Sequence, residues 1–240
     1  MILKTCWLID NPCYKYNEKM DGKPFGIIVH STGANNRNLK RYVQPVKSQS
    51  YYQMVIDDIG LNKNGNSWNR LDVKKCVHAF IGLNSKGQIE TYNTLPFDLC
   101  CWGCASGSKG SFNYNPNACI QFEICEDSLK DEDYFNRAFK EAIEFCAYLC
   151  DRYSIPVRNI YSHKEAGKAG YASKHTDCDH WLEKFGKDMA WFRREVGALL
   201  DKSHEYYIRT DTCNTLAEAN EQLNIAKKAG LKNPTIIQIK

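Results

Sequence analysis

The chain has 240 residues, 43% apolar and 25% charged, with a net charge of +4. That describes a soluble globular chain with one substantial core and room for a small second unit. The charge is far below the dense basic stripe of a nucleic-acid binder. No stretch approaches the ~20 apolar residues of a membrane span, which excludes membrane insertion.

The opening segment, Met1 to Pro12, holds too short an apolar run for a secretory signal and meets charge and proline early. The chain is therefore expected to be made in the cytoplasm without a signal peptide. Residues 1–25 are polar and turn-rich, an extended N-terminal arm in which Trp7 and Tyr14 pack against the domain. Gly26-Ile-Ile-Val-His30 is a continuous apolar run that reads as a buried central strand. His30 stands at its exit, where a side chain can point into a cleft. Asn36 to Val43 suggests a short helix ended by Pro45. Residues 44–76 carry few regular signals and suit a binding surface.

Cys76 to Leu83 and Gln88 to Tyr92, joined by Asn84-Ser-Lys-Gly87, form a predicted hairpin. His78 shares a face with Phe80 and reads as a packing residue. Leu95 to Asn117, rich in Gly, Ser, Asn and Cys, has the composition of a long binding loop and carries Trp102 and Tyr114. Ala118 to Ile124 follows as a strand, with Cys119, Gln121 and Glu123 on one face. Glu123 is thus an acid within a strand, where it needs a partner or a task.

Asp131 opens an amphipathic helix that runs through Tyr153, with Phe135, Phe139, Ile143, Cys146 and Cys150 inward. Val157 to Tyr161 is a short strand. Tyr161 to Trp181 reads as a loop and holds three of the six histidines together with Asp177 and Cys178, all metal-binding residue types. Lys187 to Leu200 makes a final helix. Most of the twelve cysteines fall at apolar positions, so buried free thiols are expected; Cys100-Cys101-x-x-Cys104 has no partner pair to complete a zinc knuckle.

The order of elements predicts an α/β domain over residues 1–200, a mixed central β-sheet flanked by helices. Residues 201–240 restart as a small strand-helix-strand piece: Tyr206–Arg209, Thr215–Gly230, Thr235–Ile239. Such a piece must dock or pair with a second copy, which makes a homodimer one expected partner state. It resembles half of the repeat in sporulation-related peptidoglycan-binding modules.

His30, His163 and Asp177 each follow a strand or sit in the loop beyond it. Two imidazoles, one carboxylate and an open position suit catalytic zinc; a closed cysteine set suits structural zinc. The motifs Ile27-Ile-Val-His30-Ser-Thr, Val77-His-Ala-Phe-Ile-Gly82, Ile120-Gln-Phe-Glu123-Ile-Cys-Glu-Asp127, Ser162-His163 and His175-Thr-Asp177 occur in that order. Together they resemble zinc-dependent N-acetylmuramoyl-L-alanine amidases of the type shared by phage amidases and peptidoglycan recognition proteins. Trp102 to Gly110 and His180-Trp181 resemble the clostridial prophage endolysin branch.

The resemblance implies Zn²⁺ held by His30, His163 and Asp177, with Glu123 as the acid-base residue. It places His175 where relatives carry an oxyanion-stabilising lysine, and Cys178 where they carry proline; Cys178 is an alternative ligand to Asp177. Gln121 replaces a common glycine, Gly103 stands at a frequent histidine position, and Val77 occupies the position of a tyrosine. Trp102 and Tyr114 are the candidate substrate-binding residues. The implied partner is bacterial peptidoglycan, reached after release from the cell, and the implied alternative is a non-catalytic wall-binding protein on the same fold. A cysteine enzyme using Cys104 or Cys178 is a further rival.

Overall fold

The computed structural model describes residues 3–203 and 215–228. Its elements, in chain order, are β1 (Leu3–Thr5), α1 (Pro12–Tyr16), β2 (Ile27–Ser31), α2 (Tyr52–Ile59), β3 (Ala79–Leu83), β4 (Ile89–Asn93), β5 (Ile120–Ile124), α3 (Glu132–Tyr153), β6 (Ile160–Ser162), α4 (His163–Ala169), α5 (Asp179–Lys184), α6 (Met189–Ser203) and α7 (Leu216–Lys228). The six strands form one sheet in the order β1-β4-β3-β5-β2-β6. Strands β3, β5, β2 and β6 run parallel, while β4 and β1 run against them.

The mixed sheet flanked by helices agrees with the expected fold class. Strand β2 is buried at every residue, as its unbroken apolar run requires. Alternation then sorts its side chains. Ile27 and Val29 join the main core, whereas Ile28 packs on the opposite face with Cys104, Phe112 and Cys119. His30 shares the face of Ile28. In register beside it, Ile28 pairs with Gln121 and His30 with Glu123. One face of the sheet therefore builds the main core, and the other packs a second apolar cluster around Phe80 and Tyr92 while presenting ionisable and amide groups at the carboxyl ends of parallel strands.

The core face is sealed by α3. Asp131 caps this helix by accepting from Tyr134 N, and Glu132 and Asp133 complement its dipole. Phe145 meets Phe122 of β5, Phe135 and Phe139 are buried in the same core, and the Trp181 ring lies 5.2 Å from that of Phe139. Phe139 is fully buried. Truncating it to alanine is expected to cost about 3–5 kcal/mol, read as a lower urea midpoint at unchanged m-value.

Several elements differ from expectation. The N-terminal arm is not merely extended: β1 adds an edge strand beside β4, and α1 is a short helix capped by Asn11. Helix α2 sits inside the stretch read as irregular, with Val55 and Ile59 buried one turn apart. Only a 3₁₀ turn, Leu39–Arg41, forms where a short helix was expected. The Tyr161–Trp181 segment is not a loop throughout, since it contains α4 and the start of α5.

The chain divides into two compact units, residues 1–203 and 204–240. In the second unit α7 is helical as expected; the segments read as strands at 206–209 and 235–239 lie outside the described residues. Among the described residues no helix is long and apolar enough to cross a membrane. The eleven cysteines of the described residues are all buried and unbridged.

Candidate metal centre and groove

Three backbone devices bring the candidate ligands together. His30 is the fourth residue of β2 and is 1% exposed. His163 is the first residue of α4, whose start is fixed by a capping box: Ser162 Oγ accepts from Glu165 N, and the Glu165 carboxylate accepts from Ser162 N. Arg193 clamps that carboxylate with bonds of 2.8 and 3.0 Å. Asp177 lies on the segment between α4 and α5, where its carbonyl accepts from Lys164 N.

His30 Nδ1 is 3.0 Å from Asp177 Oδ2 and 3.1 Å from His163 Nδ1. His163 Nδ1 is 3.4 Å from the same Asp177 oxygen. Donors ~2.0–2.1 Å from a tetrahedral zinc lie roughly 3.3 Å from one another, so these three atoms have the spacing of one face of such a site. Among the described residues it is the only group of three or more His, Cys, Asp or Glu side chains close enough to share an ion. The outer nitrogens are also engaged, His30 Nε2 with Gln121 Oε1 at 3.0 Å and His163 Nε2 with Ser173 Oγ at 3.1 Å. The donor set and its supports fit a zinc ion.

The electrostatics of Asp177 and His163 agree with that fit. Burial opposes charge on Asp177, yet hydrogen bonds from His163 and His30 hold its carboxyl well below the usual range. Burial lowers the pKa of His163, which favours the neutral, ligating imidazole. Glu123 stands beside His30 on β5, and its Oε2 is buried with no hydrogen-bond partner. Burial raises its pKa to about 7, against the opposing charge of His30. A carboxyl poised there can both take and give a proton near neutrality.

The other residues singled out in the sequence divide sharply. His175 is exposed and stacks on His163 with ring centres 4.5 Å apart; its Nδ1 lies 3.5 Å from Asp177 Oδ1. Trp102 and Tyr114 line a groove of about 440 Å³ together with Lys74, Lys75, His163 and His175. Cys178 packs in the main core, away from the triangle, and burial pushes its thiol well above the ordinary value. Cys104 is likewise buried and pushed up to about 11, which leaves neither thiol suited to nucleophilic attack. His78 packs as expected, donating to Leu99 O and accepting from Gln121 N; burial lowers its pKa to about 4.

The family described as N-acetylmuramoyl-L-alanine amidase matches residues 20–181, more than half of the sequence and every residue of the triangle. This chain belongs to the N-acetylmuramoyl-L-alanine amidase family. The amidase shares its fold with solved structures at low identity. Staphylococcus aureus hydrolase AmiA, solved with its ligand, is 15% identical with a TM-score of 0.53, and the match covers 83% of each chain. The PlyG catalytic domain is 18% identical with a TM-score of 0.52, over 89% of this chain and 100% of that one. A mutant endolysin from Bacillus subtilis is 19% identical with a TM-score of 0.50, over 82% and 99%. No curated protein matches the amidase in sequence. Membership of the family carries the reaction class, hydrolysis of the amide between N-acetylmuramic acid and the L-alanine of a peptidoglycan stem peptide.

Sequence reading missed Ser173, Asn113, Lys74 and Lys75 as site residues, because no motif marks them. Helix α4 had a readable signal in Ser162-x-x-Glu165, the spacing of a capping box.

Proposed function

We propose that the amidase is a zinc enzyme of the endolysin type, in which His30, His163 and Asp177 hold the ion. The observation that carries this reading is the ligand triangle beside Glu123, whose buried Oε2 has no hydrogen-bond partner, at a groove. When bound, zinc supplies Lewis-acid polarisation of the scissile carbonyl and brings the pKa of water towards ~7. Glu123 removes a proton from the attacking water and returns it to the leaving nitrogen of L-alanine. His175, on the open side of His163, donates an N–H to the oxygen on which negative charge develops. Trp102 and Tyr114 wall the groove against sugar or stem peptide. The likeness to endolysin structures supports action on the wall after release from the producing cell.

Mass spectrometry of fragments released from purified peptidoglycan tests the reaction. Stem peptides with a free L-alanine amine and intact glycan strands are expected. Binding to walls without release of fragments would sink the enzymatic reading in favour of a wall-binding protein. Trp102→Ala is expected to raise KM for a muropeptide by about two- to tenfold with little change in kcat, because a stacked aromatic wall is worth about 0.5–1.5 kcal/mol. An unchanged KM would remove Trp102 from substrate binding.

A further inference from the structure

Gln121 is fully buried, and its side-chain amide is saturated with partners. Its Oε1 faces His30 Nε2 at 3.0 Å. Its Nε2 donates to Asn113 Oδ1 at 2.9 Å and to the Phe112 carbonyl at 3.3 Å. The Asn113 oxygen in turn accepts from two backbone amides, Gly103 N at 3.2 Å and Cys104 N at 3.1 Å.

Backbone N–H groups only donate and carbonyls only accept, so these contacts fix the direction of the whole chain of bonds. Asn113 must turn its oxygen towards residues 103 and 104. Gln121 must then turn its NH₂ towards Asn113 and Phe112, and its oxygen towards His30. Reversing the Gln121 amide would set its oxygen against two acceptors in a site closed to water, where unpaired polar groups are costly.

We propose that Gln121 and Asn113 form a relay of fixed polarity that keeps a proton on Nε2 of His30, so that Nδ1 is the nitrogen offered to the metal. Gly103 is part of the same device. A Cβ at that position would lie 2.4 Å from Gln121 Oε1 and 3.0 Å from Val77 Cγ1, so the glycine makes room for the amide that the relay needs. Gln121 and Asn113 are positioning residues: they act through His30 and touch no reacting atom. The inference rests on His30 being a metal ligand, but the state of its Nε2 can be read without metal.

The test uses the full chain with ¹⁵N-labelled histidine. In the zinc-free wild type, the imidazole spectrum is expected to show His30 Nε2 protonated at every pH at which the protein is folded. A bare Nε2 at any such pH overturns the relay. Zinc affinity is then measured by competition with a chromophoric chelator. Gln121→Leu and Gly103→Ala are each expected to weaken it by roughly 10–100-fold, the usual effect of removing a metal ligand's outer partner. Asn113→Asp, which keeps the accepting oxygen, is expected to hold affinity where Asn113→Leu loses it. Full zinc affinity in a folded Gln121→Leu protein overturns the proposal. Protonated Nε2 in a wild type that binds no zinc would support the relay and sink the metal reading.

Discussion

His30→Ala, purified in zinc-containing buffer, is expected to carry almost no zinc by elemental analysis and to hydrolyse cell walls at least ~10³-fold more slowly than wild type. The variant keeps only His163 and Asp177 from a triangle whose edges are 3.0, 3.1 and 3.4 Å. Two donors do not supply the three protein ligands of a catalytic zinc site. The β2 backbone, buried along its length, holds the fold through its ladders with β5 and β6, so far-ultraviolet circular dichroism should be unchanged. Chelator-treated wild type is expected to regain activity when zinc is returned, and the variant is not. A folded His30→Ala protein with one zinc per chain would remove His30 from the ligand set.

Glu123→Gln separates metal binding from proton transfer. Glutamine has nearly the shape of glutamate but cannot accept a proton from water, so zinc content should stay at the wild-type level. Turnover should fall by about 10²–10⁴-fold, the range of general acid-base catalysis. Near-full hydrolysis would exclude Glu123 from the reaction.

The same substitution has a stability signature in the zinc-free protein. Burial raises the Glu123 pKa from 4.5 to about 7. Between those values the folded state binds more protons than the unfolded state, so the group's contribution to stability falls as pH rises. Removing the ionisation removes that loss. The zinc-free variant should melt above zinc-free wild type at pH 8 and no higher at pH 4. An equal melting temperature at pH 8 would mean that Glu123 ionises in the folded state without cost.

Much of this arrangement is legible in the sequence. The Ile27–Val29 run marked the buried strand, and alternation put Gln121 and Glu123 on one face of theirs; the register that sets Glu123 beside His30 is a property of the folded sheet. What escaped notice was short or non-local. Strand β1 has three residues and exists because β4 offers it an edge. Helix α2 is amphipathic but only eight residues long, and it has no side-chain cap to mark its start, so it did not stand out from the irregular stretch around it. Asn113 and Ser173 reach the site only because distant segments fold together. Ser173 Oγ donates to Cys104 O across 69 residues of chain, a pairing that no local pattern encodes.

The buried thiols bear on how the molecule can be probed. Cys6 and Cys150 are pushed up to about 12 by burial, and a reagent such as a maleimide needs both access and thiolate. Covalent tagging of these sulfurs will therefore follow transient opening of the chain. Each site reports a different layer: Cys146 and Cys150 lie on the buried face of α3, Cys104 and Cys119 in the cluster beside the groove, and Cys13 and Cys76 in the cluster where the N-terminal arm packs. The order in which they gain mass would chart how the layers come apart.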